Sequence, residues 1–274
     1  MKIGIDMGGT NIRIGIVKDD AIIKKVERPT LAHRSEKEII NDLIATIKEL
    51  ITPDVKSIGI GVPSVVDIQK GIVYNVANIE SWKEVHLKDI LEKEFNIPVS
   101  INNDANCFAL GEQKYGEGKG YNDIIGLTIG TGIGSGLILN GHLYCGTNTG
   151  AGEIGDLPYL DRVFEYYCSG QFFLQIHNVK GSEVAQKASE GDKDALELFR
   201  EFGHHIGNLI KVVLFTYDPE VITIGGSISK SYEYYAEEMN KVIKTFPYPA
   251  TIDKLKILIS TREDIGILGA AELP

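Results

Sequence analysis

The stretch IGIDMGGTNIRIGIV, residues 3–17, returns as IGLTIGTGIGSGLIL at residues 125–139. The two align without a gap, Gly4 on Gly126 and Gly8 on Gly130. Each is an apolar run, a Gly/Thr turn and a second apolar run, which reads as a β-hairpin closed by a tight glycine turn. One copy opens the chain and the other lies near its middle. That predicts two related domains rather than a solenoid of short repeats. A length of 274 residues fits the division, with one large α/β domain as the alternative.

The elements after each hairpin follow one plan. In the first half, strands are expected at 2–7, 11–18 and 21–28. SEKEIINDLIATIKELI (35–51) opens with a capping box, Ser35 and Glu38, and its apolar positions keep to one helix face. A buried strand at 55–63, a short hairpin around Lys70-Gly71, a helix at 87–96, a strand at 98–104 and a helix at 105–116 follow. In the second half, strands over 123–139 and near 142–145 precede a helix near 168–178 and a long amphipathic helix at 192–217. A strand at 220–228, a helix at 232–245, a strand at 255–260 and a helix from about 265 complete the pattern. Three strands followed by alternating helix and strand, twice over, predict an α/β fold with mixed sheets. The polar, glycine-rich EQKYGEGKGYND marks a boundary near 112–122.

Charge narrows the partners. A net charge of −10 leaves no basic face for nucleic acid and gives no help on an anionic membrane. Nucleotides stay possible, because backbone N–H groups and helix N-termini hold phosphate without many Lys or Arg. Cys107, Cys145 and Cys168 are odd in number and far apart, so they form neither a disulfide framework nor a CxxC site. They read as reduced thiols of a cytoplasmic protein. MKIGIDMGG runs straight into a strand pattern with no leader signature, and no run of about 18 apolar residues occurs.

Several motifs carry chemistry. DMGGTN (6–11) is a strand end, a Gly-Gly turn and a polar Thr-Asn pair, suited to close approach by a bulky anion. No G-K-[ST] follows, so it is not a Walker A loop, and no helix follows, so it is not a Rossmann turn. Alone, such a turn is more often a plain hairpin. GTGIGSG (130–136) is a second loop of the same kind, and loops at equivalent positions of two halves would face each other across a cleft. TIGGSIS (223–229) places Gly-Gly at the end of a buried strand, where ligands of α/β sheets sit. INNDANCFALGE (101–112) puts Asn103 and Asp104 where a strand meets a helix; Asp104 reads equally as an N-cap and as a carboxylate facing a cleft. GAGEIGDLPY (150–159) carries Glu153 and Asp156, which could hold a metal, grip a polyhydroxylated ligand or sit in solvent. Packing or solvent is the better reading of His204-His205, and Trp82 is open between a sugar-stacking ring and a loop anchor.

Taken together, GIDMGGTNIRIGIV, GIGVPSVVD, NIESWKEVHL, NNDANCFALGE, TIGTGIGSGLILNG, GAGEIG, ITIGGSIS and GILGAA stand in the order and spacing of the ROK family of sugar kinases and sugar-responsive regulators. The chain resembles that family over essentially its whole length. The resemblance implies the actin-like/hexokinase (ribonuclease H-like) ATPase fold, α/β, with two domains and a cleft between them. The domains would be 1–112 plus 263–274, and a larger 113–262. It implies ATP binding by Gly8, Gly9, Thr10 and Asn11, by Gly130, Thr131, Gly132 and Gly134, and by Gly225 and Gly226. Asp6 matches the acid near Mg²⁺–ATP. Asn78, Asn103, Asp104 and Glu153 match sugar binders, with Asp104 as the catalytic base. It implies the cofactors ATP and Mg²⁺ and, for partners, a small-molecule sugar and a homodimer.

Two departures stand out. The family's Glu-x-Gly-His segment reads EIGD here, so Asp156 replaces the His and joins the substrate-binding candidates. The family's Cys-rich zinc loop is replaced by LPYLDRVFEYYCSGQFF, whose single Cys168 cannot build a zinc site. Phe164, Tyr166 and Tyr167 are expected to fill that space by packing. The leading function is an ATP-dependent, glucokinase-like hexose kinase acting at O6. A sugar-binding protein with a sensory role and little or no turnover is the alternative.

Overall fold

The computed structural model describes residues 1–76, 78–147 and 150–274. β1 (Lys2–Met7) and β2 (Asn11–Lys18) form the first hairpin, and β3 (Ala21–Pro29) folds back beside β2. α1 (Glu36–Lys48) starts at Ser35, whose hydroxyl accepts from the Glu38 N–H while the Glu38 carboxylate accepts from the Ser35 N–H. β4 (Ile58–Val62), buried throughout, runs parallel to β1. β5 (Val65–Asp67), β6 (Ile72–Tyr74) and β7 (Glu84–Val85) make a small antiparallel sheet, turned at Gly71 with φ +63°. α2 (Leu87–Phe95) leads to β8 (Val99–Asn103), parallel to β4, and then to α3 (Asp104–Tyr115).

The second half opens with β9 (Ile124–Ile129), β10 (Ile133–Leu139) and β11 (His142–Tyr144). A 3₁₀ turn at Ile154–Asp156 precedes the ribbon of β12 (Pro158–Tyr159) and β13 (Arg162–Val163). α4 (Phe164–Cys168), a π-helical turn at Phe172–Ile176, α5 (Gly181–Ser189) and the long α6 (Lys193–Tyr217) follow. β14 (Val221–Gly225), a 3₁₀ turn at Ser227–Ser231, α7 (Tyr232–Ile243), α8 (Pro249–Lys254), β15 (Lys256–Ile259) and α9 (Ile265–Ala271) complete the order. The helix expected near 168–178 begins earlier and is broken. α5 buries only Val184 and Ala188 and α8 buries nothing, so neither left an apolar stripe to read.

The two halves repeat. The sheets run β3-β2-β1-β4-β8 and β11-β10-β9-β14-β15, the same order of antiparallel and parallel neighbours. The gapless repeat holds only as far as the turn. Met7 pairs with Ile12, but Ile129 pairs with Ile133, so the second turn is one residue shorter. Beyond it the equivalent positions shift, and the cross-strand pair Gly4–Gly15 corresponds to Gly126–Gly136.

Those glycines explain the layering. A Cβ on Gly59 would overlap the Ala270 carbonyl and one on Gly4 the Ile267 carbonyl, so α9 lies directly on the first sheet. A Cβ on Gly136 would overlap the Ala105 carbonyl, and one on Gly126 would sit 2.9 Å from Ala109 Cβ, so α3 lies on the second. Each of these helices therefore covers the sheet of the other half. They cross where the Gly269 backbone meets the Cys107 carbonyl. On the outer faces, α1 and α2 close the first core and α6 and α7 the second. Trp82 is 1% exposed within the first core, which removes it as a ring for sugar stacking.

Candidate active site

The first glycine loop bridges β1 and β2. Gly8 N–H donates to Asn11 O at 2.9 Å, and Thr30 fixes the turn by donating its hydroxyl to Gly8 O at 2.6 Å. Asn78 stands over this loop so closely that a Cβ on Gly9 would lie 2.5 Å from Asn78 Cβ. Gly8, Gly9, Thr10 and Asn11 line a cavity of about 570 Å³ together with Arg13, Lys25 and Asp264.

Asp6 ends β1 just before the loop. Arg13, opposite it in the β1–β2 register, donates to its carboxylate. Arg13 and Lys25 also face Asp264, at 3.8 and 2.5 Å. Burial still raises the Asp6 carboxyl against the pull of Arg13.

Asn103 and Asp104 mark the end of β8 and the start of α3. The N-cap is Asn103: its side chain accepts from Ala105 N at 2.8 Å. Asp104 is the first helical residue, free of the capping duty, although its carboxylate also accepts from Ala105 N at 2.8 Å. Asn103 Nδ2 donates to Ser64 O at 3.3 Å, which ties the helix start to the β5–β6 sheet. The Asp104 carboxyl is pushed up to about 7, first by burial and then by the charge of Asp6, with Glu153 adding a smaller push. Asp104 thus feels two carboxylates from separate parts of the chain.

Glu153 precedes the 3₁₀ turn and Asp156 ends it, and both are exposed. Glu153 is not buried as a fixed contact here; its carboxyl is nonetheless raised by partial desolvation and by Asp156 and Glu165. Ser135 anchors this segment to β10 by donating to Gly152 O.

The second glycine loop, between β9 and β10, is braced from α4. Glu165 accepts from Ile133 N at 3.0 Å and from Gln171 Nε2 at 2.8 Å, and Gly170 N donates to Gly130 O at 2.7 Å. Gly132 lies against the Glu165 carboxylate. Gly130 and Thr131 line a cavity of about 260 Å³ with Phe173, Ser182, Ser227 and Ile228. Gly134 sits within β10 against Ala105, and Gly225 packs on the Phe108 ring. Gly226, with φ +86°, turns the chain over the Ile129 backbone. The two glycine loops thus line separate cavities. Glu165, which holds the second loop and lies beside Gly155 of the Glu153–Asp156 segment, carries no signal in the sequence. It is one acid in an aromatic stretch, 32 residues from the N–H it holds.

The stretch without the zinc loop is packed with rings. Phe164 is buried and stacks on Tyr159 at 4.2 Å, with Tyr167 edge-on to Tyr159 at 5.5 Å. Tyr166, half-buried, packs edge-on against Tyr167 at 5.4 Å beneath Arg162. The Tyr159 hydroxyl meets His205 Nδ1 at 3.1 Å, and burial lowers that imidazole to about 4, so it stays neutral in the packing. Cys168 is fully buried here. No group of three or more His, Cys, Asp or Glu among the described residues is arranged to hold a metal. No helix among them is long and apolar enough to cross a membrane.

A family model described as the ROK family matches residues 2–274. A glucokinase of Thermotoga maritima is 29% identical over 99% of this chain and 96% of its own. A xylose repressor of Bacillus spizizenii is 30% identical over 95% of this chain and 73% of its own. A ROK family glucokinase from Streptomyces griseus, solved with glucose and AMPPNP, superposes with a TM-score of 0.83, at 26% identity, over 99% of this chain and 98% of that one.

Proposed function

Since the chain belongs to the ROK family and has its actin-like ATPase fold, we propose that it is an ATP-dependent kinase transferring phosphate to a hexose, at O6. The observation that carries this reading is Asp104. It is a carboxylate at a strand–helix junction, raised to about 7 and not consumed by capping the helix. A group poised near neutral pH can take the proton of an alcohol as that alcohol attacks.

In this reading Asn103 and Asp104 hold the attacking end of the sugar, while Asn78, Glu153 and Asp156 meet its other hydroxyls. Amides and carboxylates that donate and accept in pairs suit such a ligand. The loops at Gly8–Asn11 and Gly130–Gly132, with Gly134 behind the second, present backbone N–H groups to the phosphates. Gly225 and Gly226 would form the turn that brings Ser227 and Ile228 to the nucleoside. Asp6, held by Arg13 next to the first loop, would face the phosphates, and Mg²⁺ carried on them would supply charge neutralisation. Phosphoryl transfer asks for little beyond such positioning and electrostatic stabilisation. Residues 1–112 with 263–274 would close as one domain on 113–262 and exclude water.

Asp156 and the repressor relative favour a second reading, in which the site binds sugar without turning it over. One experiment separates them: ADP release with ATP and Mg²⁺ across glucose, mannose, fructose, N-acetylglucosamine and N-acetylmannosamine. Turnover of at least one sugar is expected. Tight sugar binding with no ADP release for any would overturn the kinase.

A further inference from the structure

Behind Asn103, on the side of β8 away from β4, lies a further cavity, of about 440 Å³. The edge strands of both sheets border it, β8 through Ile101 and Asn102, β11 through Leu143, with α3 between them. Its volume falls within the range of small-molecule pockets. Leu110, Leu143 and Leu273 give it an apolar interior. At its rim stand Lys88 and Lys114, neither of which makes an ion pair among the described residues, while Glu272 is already engaged by Lys2 at 3.0 Å.

We propose that this cavity is an effector site for a small organic anion with an apolar body, its carboxylate, sulfonate or phosphate held by Lys88 and Lys114. The apolar wall supplies most of the affinity, and the lysines fix orientation. The position gives an occupant leverage. Asn102 lines the cavity, accepts from Asn103 N at 2.8 Å and from Asn106 Nδ2 at 2.9 Å, and donates toward Cys145 Sγ at 3.5 Å. The cavity wall is therefore one residue from Asn103, the N-cap of α3, and touches both sheets. An occupant whose fit depends on their separation shifts sugar affinity by the same coupling free energy. That link rests on the sugar-site reading; the cavity as a site does not.

Cys145 also lines the cavity and is partly exposed, whereas Cys107 and Cys168 are buried, so it is a built-in reporter. The full-length protein is treated with iodoacetamide, with and without anilinonaphthalene sulfonate as the probe anion. Labelling is expected at Cys145 alone. Probe at ten times its dissociation constant should slow it about tenfold. The variant Lys88→Glu/Lys114→Glu, with unchanged melting temperature, should lose that protection. Undiminished labelling, or equal protection in the charge-reversed protein, overturns the site. With the cavity filled, the glucose dissociation constant should change about fivefold or more; an unchanged constant at full protection overturns the link. If no sugar binds under any condition, the kinase reading fails, and Cys145 labelling still decides the site.

Discussion

At the scale of single residues, Asp104 carries the sharpest expectations. On the proposed role its ionised form is the base, so kcat/KM should rise with pH through about 7 and then level off. Asp104→Asn should lower kcat by roughly 10²–10⁴-fold while sugar and nucleotide binding persist, as single-turnover and calorimetric measurements would show. The same substitution should stabilise the unliganded protein. A folded-state pKa raised above the unfolded value favours the protonated form, so Asp104 costs stability as pH climbs toward 7 and beyond. Removing that charge should raise the melting temperature at pH 8 by roughly 2–4 °C, on the order of 1 kcal/mol after discounting for partial solvent exposure. A lower melting temperature would contradict the electrostatics. Asp156→His, at an exposed position, should reorder the preference among sugars that differ at C1 and C2 while leaving the KM for ATP nearly unchanged. Equal effects on both would remove Asp156 from the sugar side. The glycine turns, Asp104 and the Glu153–Asp156 pair were legible because their residue types are unusual in their surroundings. Glu112 was not. It is fully buried in α3, accepts from Ser260 Oγ at 2.5 Å and Glu117 N at 2.9 Å, and reads in the sequence as an ordinary helix acid.

At the scale of elements, rings hold the place expected of a metal loop in relatives. The stacked Tyr159–Phe164 pair supports α4, and α4 supplies Glu165 to the second glycine loop. Phe164→Ala should therefore cost about 3–5 kcal/mol and raise the KM for ATP, whereas chelation of metal from the purified protein should leave the melting temperature unchanged. A chelator-induced drop would restore a structural metal. The hairpin repeat was legible from apolar alternation, which fixed strand type and approximate ends. The one-residue difference between the two turns was not, because alternation continues on either side whichever residue closes the turn. Nor could the sequence say that Gly4, Gly59, Gly126 and Gly136 serve helix packing, since a glycine in a strand reads equally as a bulge.

At the scale of the whole molecule, α3 and α9 join the two sheets through close backbone contacts at glycines, with apolar side chains packed around them. Gly59→Ala, placed against the Ala270 carbonyl, should cost about 1–3 kcal/mol of overpacking, with a corresponding fall in melting temperature. Small-angle scattering should show a smaller radius of gyration with glucose and AMPPNP together than with either alone. No change would argue against domain closure.

The exchange of helices between halves also has a bearing on time. The first sheet is made early, but the face holding Gly4 and Gly59 stays bare until α9 has been synthesised, some 200 residues after β4. At ribosomal speeds that is a wait of roughly 10–40 s. Through that interval the nascent first half has α1 and α2 on one face of its sheet, while the face at Gly4 and Gly59 lacks α9. It is then that the chain should lean hardest on chaperones, and truncation just before residue 265 should leave an aggregating product rather than a folded half.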